Sequence, residues 1–463
     1  MGCHPRRSFV ARVSAALGLI ALTAVSAADA QTDTRAAERA PAPSSPCPRW
    51  RIATDRGART ARGQPVYVEQ PAALALPAGL ALFGSPSFIW QDSAVFASID
   101  SAGHRPDAGN FALAGLLLDS AMTPRPMPLP PGVARMLAPR VLSGPRGVAD
   151  VYWGTAADTA TGPEPSATEI WHATFDGRAW STPDQVFRAA SMTWTVTAPA
   201  VVGGGAPTIA VPATAQVDGV DHDGVAIIRR AGGAWAVSWI DVHSATPNTT
   251  ALAALGGGRL LLVFVGSLWS PALRVTNAVF AARSSDGGAT WTAPTVLLSY
   301  GSRMVNELQL VAMPSAELHL FWLRRVSPSQ MFSDSVQHAV SRDAGATWEF
   351  LPGVGGVPAV AGLAVAPLPD GAIAVAARSV IADSLLLAIW DAGAWRLPPR
   401  GALSAVHSSP RFVGRSADAL WLVWGVARRG GVPQFPSAMV PELRMAPLQR
   451  WCGVDAAPRD SLP

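Results

Sequence analysis

The sequence predicts an all-β fold built by repetition, and three observations carry that expectation. An eight-residue phrase occurs twice, as Ser284-Ser285-Asp286-Gly287-Gly288-Ala289-Thr290-Trp291 and as Ser341-Arg342-Asp343-Ala344-Gly345-Ala346-Thr347-Trp348, 57 positions apart on the skeleton S-x-D-x-G-x-T-W. A period of that size means the blades of a propeller or the turns of a solenoid. Trp180, Trp235, Trp291, Trp348, Trp395 and Trp451 are stepped by 55, 56, 57, 47 and 56 residues. An apolar run, a Gly- or Pro-bearing turn and a second apolar run also recur, as in Ala73 to Phe83, Leu255 to Phe264 and Pro369 to Val375, with further copies near Gly147, Gly205, Ala316 and Ser416. Each reads as a hairpin between short strands whose near-continuous apolar character suits burial on both faces. With 42 Gly and 41 Pro spread along 463 residues, long helices are not expected.

The repeated phrase is a turn. Its serine and aspartate can accept backbone N–H bonds, its glycine takes a backbone angle closed to other residues, and its tryptophan packs a large apolar face beside the hairpin. Ser284, Asp286, Gly288, Thr290 and Trp291, with Ser341, Asp343, Gly345, Thr347 and Trp348, are therefore read as fold determinants. Weaker echoes end in Trp180, Trp235 and Trp395, and Trp451 stands as the last member of the series. The phrase resembles the Asp-box of sialidases and bacterial neuraminidase repeat proteins, where it joins the two outer strands of a propeller blade. That resemblance implies a β-propeller of four-stranded blades, with the boxes on the rim away from any active site. The landmarks count seven units, starting roughly at residues 66, 136, 191, 246, 303, 356 and 404. Six blades, the number in sialidases, is the alternative count, and two packed β-sandwiches the alternative fold.

Residues 1–30 carry Arg6, Arg7 and Arg12, an apolar stretch from Val13 to Ala27 and Ala28-Asp29-Ala30, the layout of a cleavable secretion signal. Residues 31–46 read as a disordered Pro/Ala-rich linker, 47–455 as one propeller domain and 456–463 as a flexible tail. The expected location is periplasmic or extracellular, with no membrane span in the mature chain and a monomeric state. Cleavage lowers the formal charge from +4 to +2, and the basic residues are scattered Arg with no Lys, so nucleic acid is not an expected partner. Cleavage also removes Cys3 and leaves Cys47 and Cys452, which an oxidising compartment permits to bridge and so staple the ring where its ends meet.

For chemistry, sialidases hold a substrate carboxylate with three arginines and use a tyrosine nucleophile, an activating glutamate and an aspartate acid/base. The resemblance points to Glu307, Arg324 and Arg378 at strand ends and to Asp107 in a loop of the first unit as candidate catalytic residues. Arg51-Ile52-Ala53 is a partial match to the family's first-arginine phrase. Only Tyr67, Tyr152 and Tyr300 exist, and none falls late enough to be the family nucleophile. Asp218, Asp221 and Asp223 around His222 form an acidic loop without a calcium-loop spacing, and the eight His show no metal-ligand spacing, so neither metal nor cofactor is expected. The reading is a secreted propeller that binds a glycan or a protein without standard sialidase catalysis; a divergent exo-glycosidase and a cell-envelope structural component are the alternatives.

Overall fold

The apolar runs become strands, and the described residues of the computed structural model contain 29 of them and no helix. The description covers strands and turns between residues 49 and 451; residues 1–48, 58–68, 86–112, 156–166, 193–199, 325–334, 399–408, 430–438 and 452–463, with shorter connections, lie outside it. Strands β1 (Arg49–Ile52) and β2 (Arg56–Gly57) come first. Blade 1 is β3 (Glu69–Leu76), β4 (Gly79–Ser85), β5 (Leu113–Leu118) and β6 (Pro124–Pro128), and blade 2 is β7 (Leu137–Ser143), β8 (Ala149–Thr155), β9 (Ala167–Phe175) and β10 (Asp184–Met192). Blade 3 is β11 (Ala200–Val202), β12 (Thr208–Val217), β13 (Val220–Ala231) and β14 (Ala234–Asp241). Blade 4 is β15 (Ala245–Ala254), β16 (Leu260–Ser270), β17 (Arg274–Ser284) and β18 (Thr295–Ser299). Blade 5 is β19 (Val305–Ala312), β20 (Leu318–Arg324), β21 (Ser335–Ser341) and β22 (Glu349–Val354). Blade 6 is β23 (Val360–Pro367), β24 (Ile373–Ser379), β25 (Leu385–Asp391) and β26 (Ala394–Arg396). Blade 7 is β27 (Arg411–Ser416), β28 (Ala419–Arg429) and β29 (Met439–Trp451), with β1 as its fourth strand.

Every blade is an antiparallel meander, and the first strands touch in the order β3, β7, β11, β15, β19, β23, β27 and back to β3. That closed circuit makes a ring of seven blades with the first strands innermost, so seven is the count and six is set aside. The core is distributed accordingly. Seven apolar clusters lie one at each joint between successive blades, from Phe83 against Trp153 at joint 1–2 round to Leu82 against Val423 at joint 7–1. Second and third strands are consequently buried on both faces: β20, Leu-His-Leu-Phe-Trp-Leu-Arg, is buried at all positions but the last. Both faces of a blade meet a neighbour, so the strands need no polar side.

The ring closes through the chain's start. Strand β1 pairs with β29 from Arg49 opposite Trp451 to Ile52 opposite Leu448, and β2 adds Arg56 opposite Met445. Trp50 packs in the cluster between blades 6 and 7 and donates its indole N–H to Asp370 Oδ2 at 2.8 Å. Trp451 thus ends a third strand, whose fourth-strand partner is β1. Cys47 and Cys452 lie outside the described residues, two positions before β1 and one after β29.

Both S-x-D-x-G-x-T-W turns join third and fourth strands, in blades 4 and 5, with one bonding scheme. Ser284 Oγ donates to Asp286 Oδ1 at 2.8 Å and accepts the Gly288 N–H at 2.8 Å; Asp286 accepts the Thr290 N–H at 2.9 Å and its hydroxyl at 2.6 Å. Ser341, Asp343, Gly345 and Thr347 repeat this at 2.8, 2.8, 2.8 and 2.6 Å. These bonds hold the Asp343 carboxyl down to about 2, the Thr347 hydroxyl being the largest cause. Gly345 has φ +85°, a backbone angle that calls for glycine, and a Cβ there would come 2.7 Å from the tip of the Leu261 side chain of blade 4. The echo turns face the preceding blade: the indoles of Trp180, Trp235 and Trp395 donate to Pro128 O, Asp184 Oδ2 and Pro352 O at 2.8, 2.9 and 2.7 Å. Ser341 is buried, so Ser341→Ala strands the Gly345 N–H and is expected to lower stability by about 1–3 kcal/mol. Exposed Ser285→Ala in the sister turn is expected to change it by under about 0.5 kcal/mol; urea melts giving equal losses would refute this account of the turn.

Candidate functional site: the mouth of the ring

The first-to-second-strand hairpins and the third-to-fourth-strand turns share one face. The opposite face carries the starts of the innermost strands, and there three hairpins stand tall. Pairing runs out to Val217–Val220 in blade 3, Ser270–Arg274 in blade 4 and Arg429–Met439 in blade 7, while β20 of blade 5 stops at Arg324. Strand β10 also reaches across to β12 through Ser191–Thr214 and Met192–Ala213, joining blades 2 and 3 on this face. The result is a mouth with raised walls.

Innermost strands are irregular at the mouth. β7 slips register between Leu137 and Arg140, β19 between Asn306 and Gln309, and β23 between Ala361 and Ala364. Such bulges re-aim side chains and leave backbone groups unpaired. Glu307 sits in the β19 bulge with φ +52°, and Gly362 in the β23 bulge with φ +69°. The two N–H groups that β23 exposes go to the Glu307 carboxylate: Gly362 N to Oε1 at 2.9 Å and Leu363 N to Oε2 at 2.6 Å. Glycine is needed at 362 for space as well, since a Cβ would lie 2.5 Å from Ser409 Oγ. Glu307 therefore ties blade 5 to blade 6.

Arg140 is the fourth residue of β7, the innermost strand of blade 2, and Arg411 the first of β27, the innermost strand of blade 7, each directly after a proline. Their local bonding is the same: Arg140 Nη1 donates to Pro139 O at 3.0 Å and Arg411 Nη1 to Pro410 O at 3.1 Å. Blade 1 separates these strands, yet the Arg411 charge reaches Arg140. Burial pushes Arg140 down to about 9, with the Arg411 charge second, and burial lowers Arg411 while the Glu307 charge raises it. Both remain cationic at neutral pH. Arg140 Nε is buried without a hydrogen-bond partner, and among the described residues neither arginine has a carboxylate in ion-pair range.

Of the residues expected to carry chemistry, Glu307, Arg324 and Arg378 all lie on this face. Arg324 ends β20 opposite Val305 and Ser335, half-buried, with Nε unpartnered; Arg378 lies on β24 opposite Ala361 and Leu385. They do not form a bonded group with Glu307, whose partners are backbone amides. Arg51 is on β1, at the outer edge of blade 7. Asp107, Tyr67 and Tyr300 lie outside the described residues. Tyr152 is fully buried on β8 with its hydroxyl unbonded, burial raises its pKa, and its ring stacks on His172 at 4.7 Å. Asp221 accepts from Gln216 at 2.9 Å and His222 pairs with Asp241 at 3.0 Å; among the described residues no group of three or more His, Cys, Asp or Glu is arranged to hold a metal. Sequence reading missed Arg140 and Arg411. Their signal was Pro-Arg at the same stage of two units, Pro139-Arg140 and Pro410-Arg411.

The fold defines the class: a seven-bladed β-propeller. No protein family and no curated protein matches the chain. Among solved structures it is similar to a protein of unknown function from Dyadobacter fermentans, at 14% identity over 68% of this chain and 95% of that one, TM-score 0.48. It is also similar to an α-L-arabinanase of Penicillium chrysogenum complexed with arabinobiose (14% identity, 69% and 96% covered, TM-score 0.42) and to an ulvan lyase (11%, 87% and 96%, TM-score 0.45). With TM-scores below 0.5, these likenesses carry no weight for the site or its ligand. None of the described helical content could cross a membrane, because there is none.

Glu307→Gln puts an amide N–H against a backbone N–H and is expected to cost about 1–3 kcal/mol of stability. Urea melts check this; full stability would deny the carboxylate its role between blades 5 and 6.

Proposed function

We propose that this chain is an exported, sialidase-like Asp-box propeller that binds an acidic glycan at its mouth without standard sialidase catalysis. The observation that carries the reading is the pair of half-buried guanidinium groups, Arg140 and Arg411, without a carboxylate partner of their own among the described residues. Two half-buried cations, one within reach of the other's charge, on a face walled by three hairpins favour an oxyanion-bearing ligand, and arginine's planar fork suits carboxylate and sulfate groups. Arg324 and Arg378, on the same face, add positive charge around the same opening. Against catalysis stand the engagement of both Glu307 oxygens by backbone amides and the burial of Tyr152 as a neutral phenol. Tyrosine chemistry of the sialidase kind needs an accessible hydroxyl that a carboxylate can activate.

The test is binding of polygalacturonate against neutral arabinan, followed by turnover assays on a panel of aryl glycosides that includes a sialoside. Retention of the acidic polymer, weakened by salt and reduced about 10-fold or more in Arg140→Gln and Arg411→Gln proteins of unchanged melting temperature, is expected. Turnover lost on Glu307→Gln would overturn the reading in favour of a divergent exo-glycosidase using Glu307, Arg324 and Arg378.

Export supports a further element of the same reading, a disulfide between Cys47 and Cys452 beyond the paired ends of β1 and β29. Peptide mapping without reduction is expected to recover the cross-linked pair; two free thiols would remove this element.

A further inference from the structure

Blade 5 buries two histidines that the mouth does not use. His319 on β20 is 5% exposed and His338 on β21 is 1% exposed, and their rings stack with Nδ1 of His319 2.9 Å from Nε2 of His338. At that separation one nitrogen donates and the other accepts, so the facing positions hold a single proton between them. His338 is enclosed by Phe321 at 4.3 Å, Trp390 at 4.7 Å and Trp395 at 5.6 Å between ring centroids, the last two from blade 6, and its Nδ1 has no hydrogen-bond partner. The rings therefore stand in the apolar joint between blades 5 and 6, beside the Trp395 indole that bonds Pro352 O across it.

Few charges reach the pair. On blade 5, Glu317 lies 3.8 Å from His319 Nε2 and is itself held by Arg342 at 3.0 Å, which also binds Glu349 at 2.6 Å. From blade 6 the facing groups are the two tryptophans; Asp391 and Arg396 of that blade pair with each other at 3.1 Å. Glu317 offers a counter-charge to one proton, on His319. A second proton, on His338, would set two cations and two N–H groups face to face with no acceptor and no water-facing side.

We propose that the His319–His338 pair makes the joint between blades 5 and 6 an acid-sensitive latch, shut while one proton is shared and opened locally when both imidazoles are charged. Burial lowers both pKa values, His338 to about 3. The open form thus binds more protons than the closed one, so stability of the joint is complete above the ordinary histidine value near 6.5 and falls as pH drops below it.

Hydrogen exchange on the full chain, corrected for intrinsic rates, tests this at pH 7 and pH 5. Opening of segments 318–324, 335–341 and 385–391 is expected to grow about 30-fold, the linkage of one imidazole whose ordinary value is near 6.5. The joint between blades 2 and 3 is expected to stay closed. His338→Phe keeps the stack on Phe321, removes the ring that takes the second proton and should shrink the response at these segments. An equal acid response in that variant, or one spread evenly round the ring, would overturn the proposal. Should the variant fail to fold, imidazole NMR of the unaltered protein decides: His338 taking a proton near pH 6.5 with native signals intact would also overturn it.

Discussion

No blade of this protein buries its own two faces, and that single constraint organises the molecule. A four-stranded sheet with apolar residues above and below is stable only between two like sheets, and the last such contact exists only when the ring is shut. The seven clusters are equal members of one circuit, each shared by two blades. Local hydrogen bonds then fix how blades meet: indoles of outer turns reach back to the preceding blade, Ser238 donates to Gly288 O, and Arg283 donates to Gly345 O. Polar detail serves the joint that hydrophobic burial creates.

The parts of this design that are local were legible in the sequence. A turn whose serine, aspartate and glycine satisfy one another within eight residues repeats as a phrase, and the expected unit starts near 66, 136, 303 and 356 fall within a few residues of Glu69, Leu137, Val305 and Val360. Non-local features left fainter marks. Arg49 to Ile52 has four residues, no turn and no periodicity, so nothing in it declares a partner about 400 positions away. Glu307 looks like a candidate base in sequence because its true partners, the amides of Gly362 and Leu363, carry no side-chain signature. Trp451 keeps the spacing of the outer-turn series yet ends a third strand, because the strand that should follow it comes from the other end of the chain.

Mouth and hairpin face divide the labour. The hairpin face spends its polar groups on internal bonds, with His172 between Asp150 and Asp184 and the aspartates of the turns saturated. At the mouth, Glu307 takes up the amides freed by the β23 bulge, while the Nε atoms of half-buried Arg140 and Arg324 have no hydrogen-bond partner among the described residues. Polar capacity left unused in a largely satisfied protein is where a ligand can gain most, since desolvation of those groups has already been met in folding.

Strand β1 has a consequence for biogenesis. Synthesis delivers the chain from its amino end, so the piece that completes blade 7 emerges before any blade exists and must wait, unpaired, until residues 439–451 arrive. Throughout translation the nascent protein is an open arc with one bare apolar flank at each extremity, a template for pairing with a neighbouring nascent chain. A chaperone that shelters β1 during synthesis would guard the whole assembly, and the short length of β1 limits how well it can mispair in the interval.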